Sequence, residues 1–263
     1  MKIVVCIKQV PDTTEVKLDP VTNTLIRDGV PSIINPDDKS GIEAALQLKE
    51  KVGGTVTVVS MGPPQADFAL REALSMGCDH AILVSDRAFG GSDTWATSST
   101  LASALKKLDY DLIITGRQAI DGDTAQVGPQ IAEHLGIPQV SYAEDVNVEG
   151  DSIIVKRQFE DRYHIIEVKM PCLLTALAEL AEPRYMSIVG VFDAYREKEV
   201  EVWNLESIKD TVDEGSLGLK GSPTRVKESF TKQAKGQGIL HEDLSPDEAA
   251  EVIVSKLQEK FII

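Results

Sequence analysis

The feature that most constrains this chain is a series of short, uninterrupted apolar runs separated by stretches with helical spacing. Ile3-Val4-Val5-Cys6-Ile7, Thr55 to Met61 (TVTVVSM), Ala81-Ile82-Leu83-Val84 and Leu112-Ile113-Ile114 each read as a strand. None alternates apolar with polar, so both faces are buried, as in a parallel sheet covered by helices. Between them, Ile42, Ala45 and Leu46 share one helical face. Ala66, Ala69, Leu70, Ala73 and Leu74 fall at i, i+3, i+4, i+7 and i+8, and Gly77 stands where a left-handed cap belongs. Leu101, Ala104, Leu105 and Leu108 mark the next helix. The pattern predicts a three-layer α/β sandwich with an open, mainly parallel sheet. Aromatic residues are only 5% of the chain against 42% hydrophobic, so aliphatic side chains must fill its core.

Val16 to Arg27 carries Asp19-Pro20 and Thr22-Asn23 between short apolar pieces and predicts a small hairpin. Beyond Pro138 the texture changes: Val146 to Val148, Ile153 to Val155 and Tyr163 to Val168 read as antiparallel strands. From about Ser207 the chain turns polar and glycine-bearing, then ends in a marked helix. Ser245 and Glu248 make a capping box, Pro246 takes the first helical position, and Val252, Ile253, Leu257 and Phe261 form an apolar stripe. The expected division is a core, residues 1–206, and a C-terminal arm, residues 207–263.

A net charge of −15 opposes general nucleic-acid binding, which needs a basic face. Cys6, Cys78 and Cys172 are odd in number and widely separated, which fits reduced thiols rather than disulfides or zinc. The run Ile3–Ile7 is too short for membrane insertion or a signal peptide, so the expected location is cytoplasmic. The four histidines lie in unrelated contexts and no GxSxG occurs, so no autonomous hydrolase, metal site or catalytic residue is expected.

In open α/β sheets ligands gather beyond the carboxyl ends of the strands. After the first strand come Lys8 to Thr13, and Asn35-Pro36-Asp37-Asp38 opens the first long helix, where simple capping is the competing reading. Met61-Gly62-Pro63-Pro64 follows the second strand, and Ser85 to Thr94 (SDRAFGGSDT) the third. There Gly90 and Gly91 permit close backbone approach, while Ser92, Asp93 and Thr94 can cap a helix or bind a polar ligand. Gly116 to Gly128 (GRQAIDGDTAQVG) follows the fourth strand and feeds a helix whose first amides suit a phosphate. Arg117 adds a cation, whereas Asp121 and Asp123 fit an anion site only if engaged elsewhere. Neither GxGxxG nor a P-loop is present.

KIVVCIKQVPDT, INPDD, GRQAIDGDTAQVGPQIAEHLG and LTALAELAEPRYMS, in that order over nearly the whole chain, resemble an electron-transfer flavoprotein β subunit. The resemblance implies a Rossmann-like, adenine-nucleotide-α-hydrolase-like sandwich whose C-terminal arm embraces an α subunit. It implies a nucleotide site built from Cys6, Asn35, Pro36, Asp37, Asp38, Met61, Gly116, Arg117, Gln118, Ala119, Ile120, Asp121, Gly122, Asp123, Thr124, Ala125, Gln126 and Val127. VPDT, NPDD and the Ser85 to Thr94 loop with its Gly90-Gly91 resemble the electron-bifurcating members, whose β subunit holds FAD where respiratory members hold AMP. The resemblance adds Gly90, Gly91, Ser92, Asp93 and Thr94 to the site.

Such members take electrons from NADH, pass one to ferredoxin or flavodoxin, and send the other through the α-subunit FAD to an acyl-CoA dehydrogenase. Ala181 to Arg196 resembles the family's docking loop, with Glu182, Pro183, Arg184, Tyr185 and Ile188 in it; the competing reading is a capped helix with Ile188 inward. The family's lysine cluster is replaced by Asp193 to Glu197. Two alternatives stand beside this reading: a non-bifurcating β subunit holding AMP, and an adenine-nucleotide-binding regulatory module.

Overall fold

A computed structural model describes residues 1–12, 31–227, 236 and 238–263, so the hairpin expected at Val16 to Arg27 lies outside the described residues. The apolar runs form the centre of a nine-stranded sheet. Its strands are β1 (Lys2–Cys6), β4 (Thr55–Met61), β5 (His80–Val84), β6 (Leu112–Gly116), β7 (Gln139–Glu149), β8 (Ser152–Gln158), β9 (Tyr163–Lys169), β10 (Cys172–Ala176) and β11 (Val200–Trp203). Short β2 (Gln9–Pro11) and β3 (Ser32–Ile34) pair apart from it. The order across the sheet is β11-β5-β4-β1-β6-β10-β7-β8-β9. Pairing is parallel from β11 to β7 and antiparallel from β7 to β9.

Each central strand sends alternate residues into two cores, one on each sheet face. Ile3 and Val5, Val56 and Val58, and Leu112 and Ile114 join α1 (Pro36–Val52) and α2 (Asp67–Met76). Val4, Val59, Ile82 and Ile113 join α3 (Thr94–Leu105) and α4 (Val127–Leu135). This double burial is why the strands read as continuous apolar runs.

Two parallel strands go beyond the four expected. β10 inserts between β6 and β7, and β11 adds an edge beside β5. β7 changes partner along its length, parallel to β10 at first and antiparallel to β8 later. The register shifts near Tyr142, whose φ is +60° and whose N–H donates to Thr175 Oγ1 at 3.0 Å.

Two units are distinguishable, Met1–Val226 and Lys227–Ile263. Residues 207–226, assigned by composition to the arm, are thus part of the sheet unit, where Ile208 and Leu217 enter the core beside α3. The second unit contains α8 (Pro246–Glu259), with its Ser245/Glu248 capping box and Pro246 in the first turn. No residue of α8 is buried, and Ile253 and Phe261 are exposed. Among the described residues no helix is long and apolar enough to cross a membrane.

Candidate functional site

The chain runs β1, β4, β5 to one side and then returns to β6 on the other side of β1. The crevice between the ends of β1 and β6 is therefore the switch point at which open α/β sheets bind ligands. Asp38, in the first turn of α1, closes its base. Its carboxylate accepts from Lys8 N–H at 2.7 Å and from Gly116 N–H at 2.9 Å, tying the two strand ends together. Burial pushes this carboxyl up to about 7, although those amides and Asn35 favour its charged form. Gly116 is obligatory here, since a Cβ would lie 2.1 Å from Asp38 Oδ1.

Asn35 is fully buried and clips the following loop. Its Nδ2 donates to the Gln118 carbonyl at 2.8 Å, and its Oδ1 accepts from Ile120 N–H at 3.0 Å. Pro36 opens α1 behind it. Burial also raises Asp37, opposed by Arg117, whose Nε stands 3.4 Å from Asp37 Oδ2. That contact is electrostatic only, because neither atom has a hydrogen-bond partner among the described residues. The side chains of Asn35, Asp37, Asp38 and Arg117 thus shape the loop from beneath.

The loop itself turns at Ala119, whose carbonyl accepts from Gly122 and Asp123 N–H. Asp123 and Ala125 hold left-handed φ values of +54° and +52°, conformations that non-glycine residues keep only where the surroundings impose them. Both doubtful carboxylates are engaged: Asp121 pairs with Lys8 Nζ at 2.6 Å, and Asp123 accepts from Gln118 Nε2. Gln126 then enters α4 without a side-chain capping bond, leaving the helix's first amides available. Nothing lies within 4 Å of a Cβ built on Gly122. Thr94, at the start of α3, donates from Oγ1 to Gln126 Oε1 at 2.9 Å, so two helix N-termini meet beside this loop.

Cys6 and Met61 end β1 and β4 on the same edge. Burial pushes the Cys6 thiol up to about 12, which removes it as a nucleophile. The Gly90–Thr94 segment has a partner within the chain. Leu219, in α7 (Gly218–Gly221), packs on Gly91, with its Cβ 3.1 Å from where a Gly91 Cβ would stand, and its N–H donates to the Gly90 carbonyl at 3.0 Å. Ser92 Oγ donates to the Phe89 carbonyl, and Asp93 caps α3 through Ala96 N–H.

The sequence signature described as the electron transfer flavoprotein domain matches residues 22–208. The chain belongs to the electron transfer flavoprotein family. Over all 263 residues it is 60% identical to the electron transfer flavoprotein subunit beta of Clostridium acetobutylicum, each chain covered in full. It is 56% identical to the caffeyl-CoA reductase-Etf complex subunit CarD of Acetobacterium woodii, and 48% identical to the acryloyl-CoA reductase electron transfer subunit gamma of Anaerotignum propionicum, again with full coverage of both chains. The β-subunit resemblance read from the motifs is borne out.

For an electron transfer flavoprotein chain the implied group is an adenine nucleotide, and the residues present fit one. The uncapped amides at α4 would be the donors to its phosphate, and the open space at Gly122 beside the left-handed Asp123 and Ala125 would leave room for it. Sequence reasoning missed Lys8 as the partner of Asp121, though its place directly after β1 was a usable signal. It also missed α7 as the cover of Gly91, for which a glycine-bearing polar stretch gave none.

The EPRY segment divides into an anchor and a display. Arg184 makes a bidentate pair with buried Glu43 (2.7 and 2.9 Å) and reaches Glu50 at 2.6 Å, fixing the chain to α1. Glu182 and Pro183 lead into it. Tyr185 is 98% exposed and Ile188, opening α5 (Ile188–Arg196), is 79% exposed, so Ile188 faces solvent rather than the core. Ser187 caps α5, and Gly190 lets it pack tightly on α2, where a Cβ would lie 2.3 Å from the Ser75 carbonyl oxygen.

Proposed function

We propose that this chain is the β subunit of a cytoplasmic, heterodimeric electron-transfer flavoprotein that binds FAD and carries out flavin-based electron bifurcation. In this reading electrons from NADH go to ferredoxin or flavodoxin and, through the FAD of the α subunit, to an acyl-CoA dehydrogenase. The observation that carries it is end-to-end similarity to chains named for the caffeyl-CoA reductase-Etf complex and for acryloyl-CoA reductase electron transfer. The flavin supplies the redox chemistry. The amides of Thr124 to Val127 bind the diphosphate. Asn35 and Asp38 hold their loop in place, and Lys8 and Gln118 engage its two carboxylates. No side chain acts as a general acid or base. Tyr185 and Ile188 form the dehydrogenase-docking face, held by Arg184.

The test is to purify the chain with its partner subunit and count FAD per heterodimer. Two are expected. One FAD with one AMP would overturn the bifurcating reading and establish the second one, a structural AMP in this site. That second reading is favoured by Leu219, which takes up the close approach that Gly91 permits.

A further inference from the structure

The segment Gly218–Thr224 is strapped across the loop after β5 more firmly than packing alone requires. Gly218, at φ +57°, lies where a Cβ would come within 2.3 Å of the Ala88 carbonyl oxygen, and Ser222 is buried. Asp93 receives the strap's end. Its N–H donates to Ser222 Oγ at 2.9 Å, and its Oδ2 accepts from Thr224 N–H at 2.9 Å and Thr224 Oγ1 at 2.6 Å. Its other oxygen, Oδ1, accepts from Ala96 N–H at 3.0 Å and caps α3. One carboxylate thus serves two elements at once, and charge-assisted bonds of this kind are stronger than neutral ones. The next residue, Thr94, bonds Gln126 in the turn that enters α4. The first unit ends at Val226, just past Thr224, so the strap is also the root of the arm.

We propose that Asp93 is a positioning residue that latches the root of the C-terminal arm to the nucleotide loop, through Thr94 and Gln126. Holding Thr224 fixes the N-terminus of α3, which fixes Thr94, which holds Gln126 and the amides following it. Nucleotide retention and the latched state of the strap therefore stabilise each other, as two coupled equilibria must. The inference rests on the nucleotide reading of the Gly116–Val127 loop.

Asp93→Asn separates the two duties of the carboxylate. The amide oxygen still caps α3, while the amide nitrogen meets the two donors of Thr224. Thr224→Val removes one donor and keeps the backbone. AMP, the part common to both candidate cofactors, is titrated calorimetrically into the cofactor-stripped, full-length complex, and tryptic cleavage at Lys220 and Arg225 reports the strap. Each single variant is expected to raise the AMP Kd about fivefold and to speed cleavage, with the double variant no worse than either single. If Asp93→Asn speeds cleavage and leaves AMP affinity unchanged while Gln126→Ala weakens it, the relay is wrong and the nucleotide site stands. If Gln126→Ala also leaves affinity unchanged, the site reading fails and the relay with it. Additive effects of Asp93→Asn and Thr224→Val would likewise overturn the latch.

Discussion

Asp38 carries two opposing demands on one carboxylate. Two backbone amides call for its charged form, while burial raises it from 3.8 to about 7. Because the folded value lies above the unfolded one, its contribution to stability is fully present below about pH 4. It declines as pH rises through about 7. Asp38→Asn should flatten that decline between about pH 4 and 7 in urea unfolding. It should also lower stability by about 1–3 kcal/mol, since the amide nitrogen leaves one strand-end N–H unsatisfied. An unchanged slope would assign the pH response elsewhere. Gly122 offers the complementary test. With nothing near its Cβ, Gly122→Val should change stability by less than about 0.5 kcal/mol yet weaken AMP binding to the stripped complex. Equal affinity in parent and variant would move the phosphate away from this loop.

At the scale of elements, the docking segment owes its position to α1 and its chemistry to α5. Arg184→Met takes the cation from the carboxylate of Glu43, which is only 5% exposed and keeps just Gln47 Nε2 and a backbone N–H, and should lower stability by about 1–3 kcal/mol. The pair with exposed Glu50 contributes little to that figure. Ile188→Ala should do the reverse: thermal unfolding stays as in the parent, while the apparent KM for the dehydrogenase rises roughly fivefold or more. A destabilised Ile188→Ala protein would mean the side chain packs inward. Normal transfer kinetics would remove it from the docking face. The four central strands and the helices between them were legible because burial on both faces leaves a pattern within each segment. β10 was not. Its apolar run CLLTA is a strand only because β6 and β7, formed elsewhere in the chain, leave a gap of hydrogen-bonding groups for it.

For the whole molecule, the place to cut is set by contacts rather than by composition. A polar, glycine-bearing texture begins near Ser207, yet Ile208, Leu217 and Ser222 are buried in the sheet unit. Truncation after Val226 should leave the first unit cooperatively folded, with a Tm close to the parent's, while abolishing association with the partner subunit in size-exclusion chromatography. Truncation after Gly221 should be worse for folding, since it removes Ser222 and Thr224, the two strap residues that bond Asp93. Formation of a normal heterodimer by the shorter chain would take assembly away from the arm.

By itself the sequence determined the layered α/β architecture, the loops at the carboxyl edge of the sheet, the capped terminal helix and the family. All of these are written in local periodicity, turn chemistry and contiguous motifs. Tertiary structure decided what each polar side chain in those loops does. Asn35 and Asp38 became clips of the loop because their partners Gln118, Ile120 and Gly116 come from about 80 residues away. Gly91 acquired a cover in Leu219, and Asp93 a second duty to Thr224, for the same reason. A side chain's type sets what it can bond, but only the folded chain brings up the groups that compete for it.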